Sequence, residues 1–200
     1  MKEFRISKLT SELSWNQAAT LKDFDYPWQN ATPPKTIFKA FYDEECIHFK
    51  FIAYGPKPLV YVKTNHKIEV TKSERVEIFF RSNDNMQPYY CLEMDPKGRV
   101  LDYRADYYRK FDRQWQWPDK LHVKTKVFKE YYSLQGKLSF ATLAKLGLLQ
   151  DNIIEIGLYR GHCLELNGEN ATINWISWVD SKTSEPDFHV PSSFGKLVLK

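Results

Sequence analysis

Four carboxylates, Glu77, Glu93, Asp102 and Asp106, share one stretch of the chain, 73–117, with Arg75, Arg81, Arg104 and Arg109. Tyr89, Tyr90, Tyr103, Tyr107, Tyr108, Trp115 and Trp117 fall in the same stretch. Flat aromatic faces beside bidentate polar side chains suit a ligand with apolar C–H faces and a hydroxylated edge. Two of the carboxylates, brought to about 5–9 Å apart, would instead suit acid–base cleavage of a glycosidic bond. Cations interleaved with stacking aromatics, as in RADYYRKFDRQWQW, are the pattern of a single-strand nucleic-acid binder.

Period-two alternation positions these groups. In RVEIFFR, Val76, Ile78 and Phe80 share one face, and Arg75, Glu77, Phe79 and Arg81 share the other. In YYCLEM, Tyr90, Leu92 and Met94 oppose Tyr89, Cys91 and Glu93. Asp95-Pro96-Lys97-Gly98 is a turn that sends the chain back into a third strand from Arg99. The outward faces of these antiparallel strands would gather Arg81, Glu77, Glu93 and either Asp102 with Arg104 or the tyrosines between them. Tyr107, Tyr108, Arg109, Trp115 and Trp117 lie in the loop beside them. Trp115 and Trp117, two apart among polar residues, are expected to share an exposed face.

The 200 residues are 42% apolar, enough for one domain with a core, and no break in composition asks for two. The net charge of +4 is mild and the lysines are spread along the chain, which excludes a block-like basic tail. An aromatic share of 16% is high and implies some exposed rings. Cys46, Cys91 and Cys163 have no CxxC or Cys/His spacing and read as buried free thiols. His48, His66, His122, His162 and His189 lack metal-ligand spacing and read as surface or edge-strand residues. No apolar run reaches the roughly 20 residues of a membrane span, and MKEFRISKL lacks a signal-peptide core. The expectation is a soluble chain with no membrane partner. It is cytoplasmic as written, and periplasmic or extracellular where a leader precedes it.

Along the chain, Phe4 and Ile6 suggest a first strand, and Ser14 caps a helical turn through Ala18. The runs 36–42 and 47–53 form a hairpin about Asp43-Glu44-Glu45. Leu59–Val62 and Ile68–Val70 are short strand candidates. The runs 121–128 and 131–138 form a second pair, and Phe140–Gly147 is the one helix. Asn152–Arg160 and Leu197–Leu199 are strands. Trp175 and Trp178, three apart, point to opposite sides, so one of the two belongs to the core. Arg160 is either a ligand contact or a strand-end surface residue. About ten short strands with almost no helix make an all-β antiparallel sandwich of jelly-roll or immunoglobulin-like kind.

The ordered segments TIFKAFYDEECIHFKF, ERVEIFF, YYCLEMDPKGRVLDYRADYYR, IIEIGLYR, WISW and FGKLVL resemble the carbohydrate-binding module family 9-like domains. The resemblance runs from about Trp15 to Leu199. It implies a β-sandwich that binds oligosaccharide or polysaccharide of the xylan or glucan class without catalysis, beside a glycoside hydrolase, with calcium as a structural ion. In such domains two tryptophans sandwich a sugar ring while Glu and Arg bond its hydroxyls. Glu77 occupies the polar position in RVEIFF, Arg104 matches the arginine after the next hairpin, and Trp175 or Trp178 is the late aromatic wall. The loop ahead of RVEIFF reads KIEVTKSE, without the tryptophan that forms the other wall, and Trp115 and Trp117 are the aromatics left to supply it. No Asp-x-Asp-type loop offers calcium ligands.

Against these readings, Glu77 and Arg104 could simply form a cross-strand ion pair on a solvated face. Hydrolysis ranks below binding because the neighbouring arginines are expected to lower the carboxylate pKa values, whereas a general acid needs a raised one. Nucleic acid is disfavoured by the modest charge and by Asp106 and Asp112 within the basic run.

Overall fold

The computed structural model describes residues 1–9 and 14–200. In chain order the strands are β1 (Glu3–Ile6), β2 (Ala19–Leu21), β3 (Thr36–Tyr42), β4 (Cys46–Tyr54), β5 (Arg75–Arg81), β6 (Tyr89–Met94), β7 (Val100–Asp106), β8 (Lys110–Asp112), β9 (Lys124–Val127), β10 (Tyr131–Ser139), β11 (Ile153–Asn167), β12 (Asn170–Ser177) and β13 (Gly195–Leu199). Helix α1 (Phe140–Lys145) is capped by the Ser139 hydroxyl, which accepts from the Thr142 N–H.

Two sheets form the sandwich. One runs β1-β13-β11-β5-β6-β7-β8, with β12 beside the distal half of β11, and the other runs β2-β3-β4-β10-β9. Their facing sides bury Val76, Ile78, Phe80, Leu92, Ile156 and Leu158 from the first sheet against Phe38, Phe49, Phe51 and Leu134 from the second. Alternation accounts for this, since every apolar set that the sequence placed on one face lies in that core.

The other face of the larger sheet is covered too. The segment 179–194 folds over it and seals a second apolar cluster that includes Phe79, Tyr89, Cys91, Tyr103, Tyr159 and Phe188. All seven residues of β5 are therefore buried, including Arg75, Glu77 and Arg81.

Several expectations change in detail. Leu59–Val62 has no regular structure, and the segment holding Ile68–Val70 is a 3-10 helix, Lys67–Lys72. His66 caps that helix, and the Glu69 carboxylate takes the N–H groups of Lys63 and Thr64, so local polar bonds override the short apolar run. Strand β11 continues past Arg160 and turns back as β12, a hairpin masked by its mixed polarity. His48 is buried, not on the surface, with its ring stacked on Phe41 and its Nε2 2.6 Å from Asp43. Cys46 is only partly buried, while Cys91 and Cys163 are buried.

Candidate functional site

Arg75 and Glu77 leave β5 on the covered face, and register sets Glu77 directly opposite Glu93 on β6. Arg75 Nε donates to Glu77 Oε1 at 2.7 Å and lies 3.0 Å from Glu93 Oε2. That N–H is directed at Glu77, so Glu93 Oε2 is buried with no hydrogen-bond partner among the described residues. Glu93 Oε1 accepts from the Tyr103 hydroxyl at 3.0 Å. Arg75 Nη1 donates to the carbonyls of Thr71 and Ser73, which ties the 3-10 helix to the strand. Two buried carboxylates thus share one guanidinium. Burial, and then the charge of Glu93, push the Glu77 carboxyl well above its usual range in spite of Arg75.

Trp175 stands over this cluster, its ring centre 4.8 Å from the Arg75 guanidinium carbon. Gly161 on β11 permits the approach. It pairs with Arg75 on one side and Trp175 on the other, and a Cβ there would come within 3.2 Å of each. The result is a cavity of about 430 Å³, with Arg75, Glu77, Glu93 and Tyr103 as its polar floor. Ile68, Phe111, Trp175 and Phe188 supply apolar wall, and the exposed Arg109 and Arg113 complete the lining. His189, also in the lining, packs among Phe79, Tyr89 and Phe111. Burial, with Arg109 nearby, holds its pKa down to about 3, so at neutral pH the ring is uncharged. At the rim the Tyr108 hydroxyl donates to Asp187 at 2.6 Å and accepts from Arg109 Nε at 2.9 Å.

Of the eight residues singled out from the sequence, the structure brings Glu77 and Trp175 into this pocket and sets Tyr108 at its edge. Trp178 is 2% exposed, packed in the main core over Gly195. Trp115 and Trp117 do not share an exposed face. Trp117 is 5% exposed against Phe80, and Trp115 packs on Tyr90, so both lie on the inter-sheet side and neither faces the pocket. Arg104 leaves β7 on the face opposite Tyr103 and lies 3.8 Å from Asp106, so no Glu77–Arg104 pair forms. Of the two sets left open on that strand, the tyrosine is the one that faces Glu93. Arg160 is 2% exposed and inside the sandwich, bonded to Glu74 at 2.7 Å and to the Thr36 hydroxyl of the other sheet at 3.3 Å. Arg81 lies at the far end of β5 with Glu155 and Asp84.

The sequence places Arg75 on the face of Glu77 without giving it a role, leaves Tyr103 within one of two alternatives, and gives the 186–189 segment no part in the site. The alternation that selected Glu77 also selects Arg75, so that residue was readable. The covering segment carries no periodic signal.

The carboxylates divide by face. Asp102 accepts from Lys67 and from the Trp117 N–H, and with Asp106 it lies across the sheet from Glu77 and Glu93. The expectation that arginines lower all of these pKa values fails at Glu77, where desolvation outweighs the single cation. No cluster of three His, Cys, Asp or Glu side chains suited to a metal occurs among the described residues. No helix among the described residues is long and apolar enough to cross a membrane.

Two sheets packed face to face, with a polar-floored, aromatic-walled pocket on an outer face, define a β-sandwich with a lateral pocket. The sequence pattern of the carbohydrate family 9 binding domain-like family matches residues 10–200, and the chain belongs to that family. Among curated proteins no sequence matches it. Similar folds include a candidate carbohydrate-binding protein of Bacteroides uniformis, at TM-score 0.67 and 15% identity, covering 100% of this chain and 99% of the other. A family 9 carbohydrate-binding module of Caldicellulosiruptor kristjanssonii in complex with glucose gives TM-score 0.58 at 16% identity, covering 100% and 96%. The cellotriose complex of a family 9 module from that organism gives 0.55 at 15%, covering 100% and 94%.

Proposed function

We propose that residues 1–200 act as one non-catalytic carbohydrate-binding unit, and that the pocket over β5, β6 and β12 takes a sugar unit of a glucan- or xylan-class oligosaccharide. Trp175 carries the reading. A partly exposed indole beside buried charged hydrogen-bonding groups offers one surface for the C–H face of a pyranose and another for its hydroxyls. Ile68 and Phe111 take the part of the second aromatic wall. The volume, about 430 Å³, falls within the range of about 300–1,000 Å³ usual for small-ligand sites. Family membership and relatives named for glucose and cellotriose complexes support the ligand class. A partner glycoside hydrolase would profit from such a unit through raised local concentration on the same polymer.

The test is calorimetric titration with glucose, cello-oligosaccharides and xylo-oligosaccharides on wild type, Trp175→Ala and Trp115→Ala. Saturable heat that Trp175→Ala removes and Trp115→Ala retains is the expected result. Flat titrations across the panel would overturn the reading.

A hydrolytic reading has one observation in its favour, the raised pKa of Glu77, since a general acid must stay protonated. Release of reducing sugar from the same samples, lost in Glu77→Gln, would establish it in place of binding alone. With both carboxylates turned onto Arg75, no release is expected.

A further inference from the structure

The outer face of the five-stranded sheet concentrates lysines that no salt bridge among the described residues neutralises. Lys39 on β3 is directly opposite Lys50 on β4, Lys50 is opposite Gln135 on β10, and Gln135 is opposite Lys124 on β9. Lys126 is opposite Ser133 in the next row, and Lys137 is opposite His48 on the other side. Like charges placed directly across a strand pair repel. Burial, together with Lys39 and Lys126, lowers the pKa of Lys50 accordingly. Among the described residues the lysines held in salt bridges are Lys2, Lys8, Lys63, Lys67, Lys72 and Lys182, and none of them is on this face.

The face is also shaped. A cleft of about 350 Å³ runs across it, lined by Trp15, His48, Lys124, Gln135 and Lys137. Trp15 is fixed there by its carbonyl, which accepts from Lys39 Nζ at 2.6 Å, and by contact of its ring with Phe41. Lys50 Nζ lies 5.5 Å from the indole centre. Among the described residues one carboxylate, Asp119, lines the cleft, and the hydroxyls of Ser139 and Thr142 donate to it. An aromatic wall, an amide and several cations without a salt-bridge partner among the described residues match a chain that is both hydroxylated and anionic.

We propose that this face is a second carbohydrate-binding surface, specific for a polysaccharide bearing carboxylate or sulfate groups, with Trp15 against a sugar ring and Lys50, Lys124 and Lys137 on the anionic substituents. It extends the carbohydrate-binding reading to an opposite side of the sandwich and to a different ligand charge. A nucleic acid offers anions too, but among the described residues the cleft presents one large aromatic, Trp15, with His48 already stacked on Phe41, where a single strand would stack successive bases.

The experiment is titration of the whole chain with polygalacturonate, heparin, cellohexaose and an oligothymidylate at low and moderate salt. It is run on wild type, a Lys124→Gln/Lys137→Gln pair, Trp15→Ala and Trp175→Ala, each first verified as folded by circular dichroism. Polygalacturonate or heparin should bind saturably, and whichever binds names the anion. The lysine pair should weaken it by at least about tenfold, the equivalent of one charge-assisted hydrogen bond. Trp15→Ala should weaken it as well, and Trp175→Ala should leave it unchanged. Failure of both acidic glycans to bind would overturn the proposal. So would oligothymidylate binding as tightly with no dependence on Trp15, or loss of acidic-glycan binding in Trp175→Ala. Acidic glycan bound while cellohexaose and the neutral sugars of the first panel all fail to bind would sink the first pocket's reading while this one stands.

Discussion

Arg75 neutralises one of two carboxylates that face each other across β5 and β6, and the balance falls on Glu77. Its folded pKa lies above the ordinary 4.5, so the folded state holds a proton that the unfolded chain gives up. The stability this confers is complete below pH 4.5 and is lost as pH rises through the folded value. Glu77→Gln, which keeps the shape without the charge, should flatten the decline, as read from urea midpoints between pH 5 and pH 8. The face of Glu77 was legible because strand alternation is a local rule, and the three-residue spacing placed one of Trp175 and Trp178 in the core without saying which. Trp115 and Trp117 were misread because polar neighbours in a loop do not report over which side of a sheet the loop folds. Phe80 and Tyr90, the rings they pack on, are distant in sequence, and only the closed sandwich brings them together.

At the level of the element, β11 organises the site without contributing a polar group to it. Gly161 lets Arg75 on β5 and Trp175 on β12 meet across a strand. Gly161→Ala inserts a methyl group within 3.2 Å of both and should displace the indole from its guanidinium. The expected outcome is a fall in cello-oligosaccharide affinity of about tenfold, comparable with losing one aromatic contact. The thermal midpoint should move little, and calorimetry beside a melting curve separates the two effects. The strands around this glycine were readable from alternation. The 3-10 helix was not, because the bonds of Glu69 to the N–H groups of Lys63 and Thr64 depend on the path of a loop.

For the molecule as a whole, the two sheets are fastened by a buried polar contact as well as by apolar packing. Arg160 reaches from β11 to Glu74 and to Thr36 of the opposite sheet. Removing one partner of such a pair strands the other charge, so Arg160→Ala should cost about 3–5 kcal/mol in denaturant unfolding. The sandwich class followed from the sequence because strand patterns and turns repeat throughout, but strand order did not, since pairing of distant strands leaves no local mark. The interleaving of β13 between β1 and β11 illustrates this, and it has a consequence in time. The five-stranded sheet draws only on residues 19–139, so it can pair while the ribosome is still working. The sheet bearing the Trp175 pocket needs residues 195–199 to join β1 to β11, so that sheet is complete only when synthesis has passed residue 199.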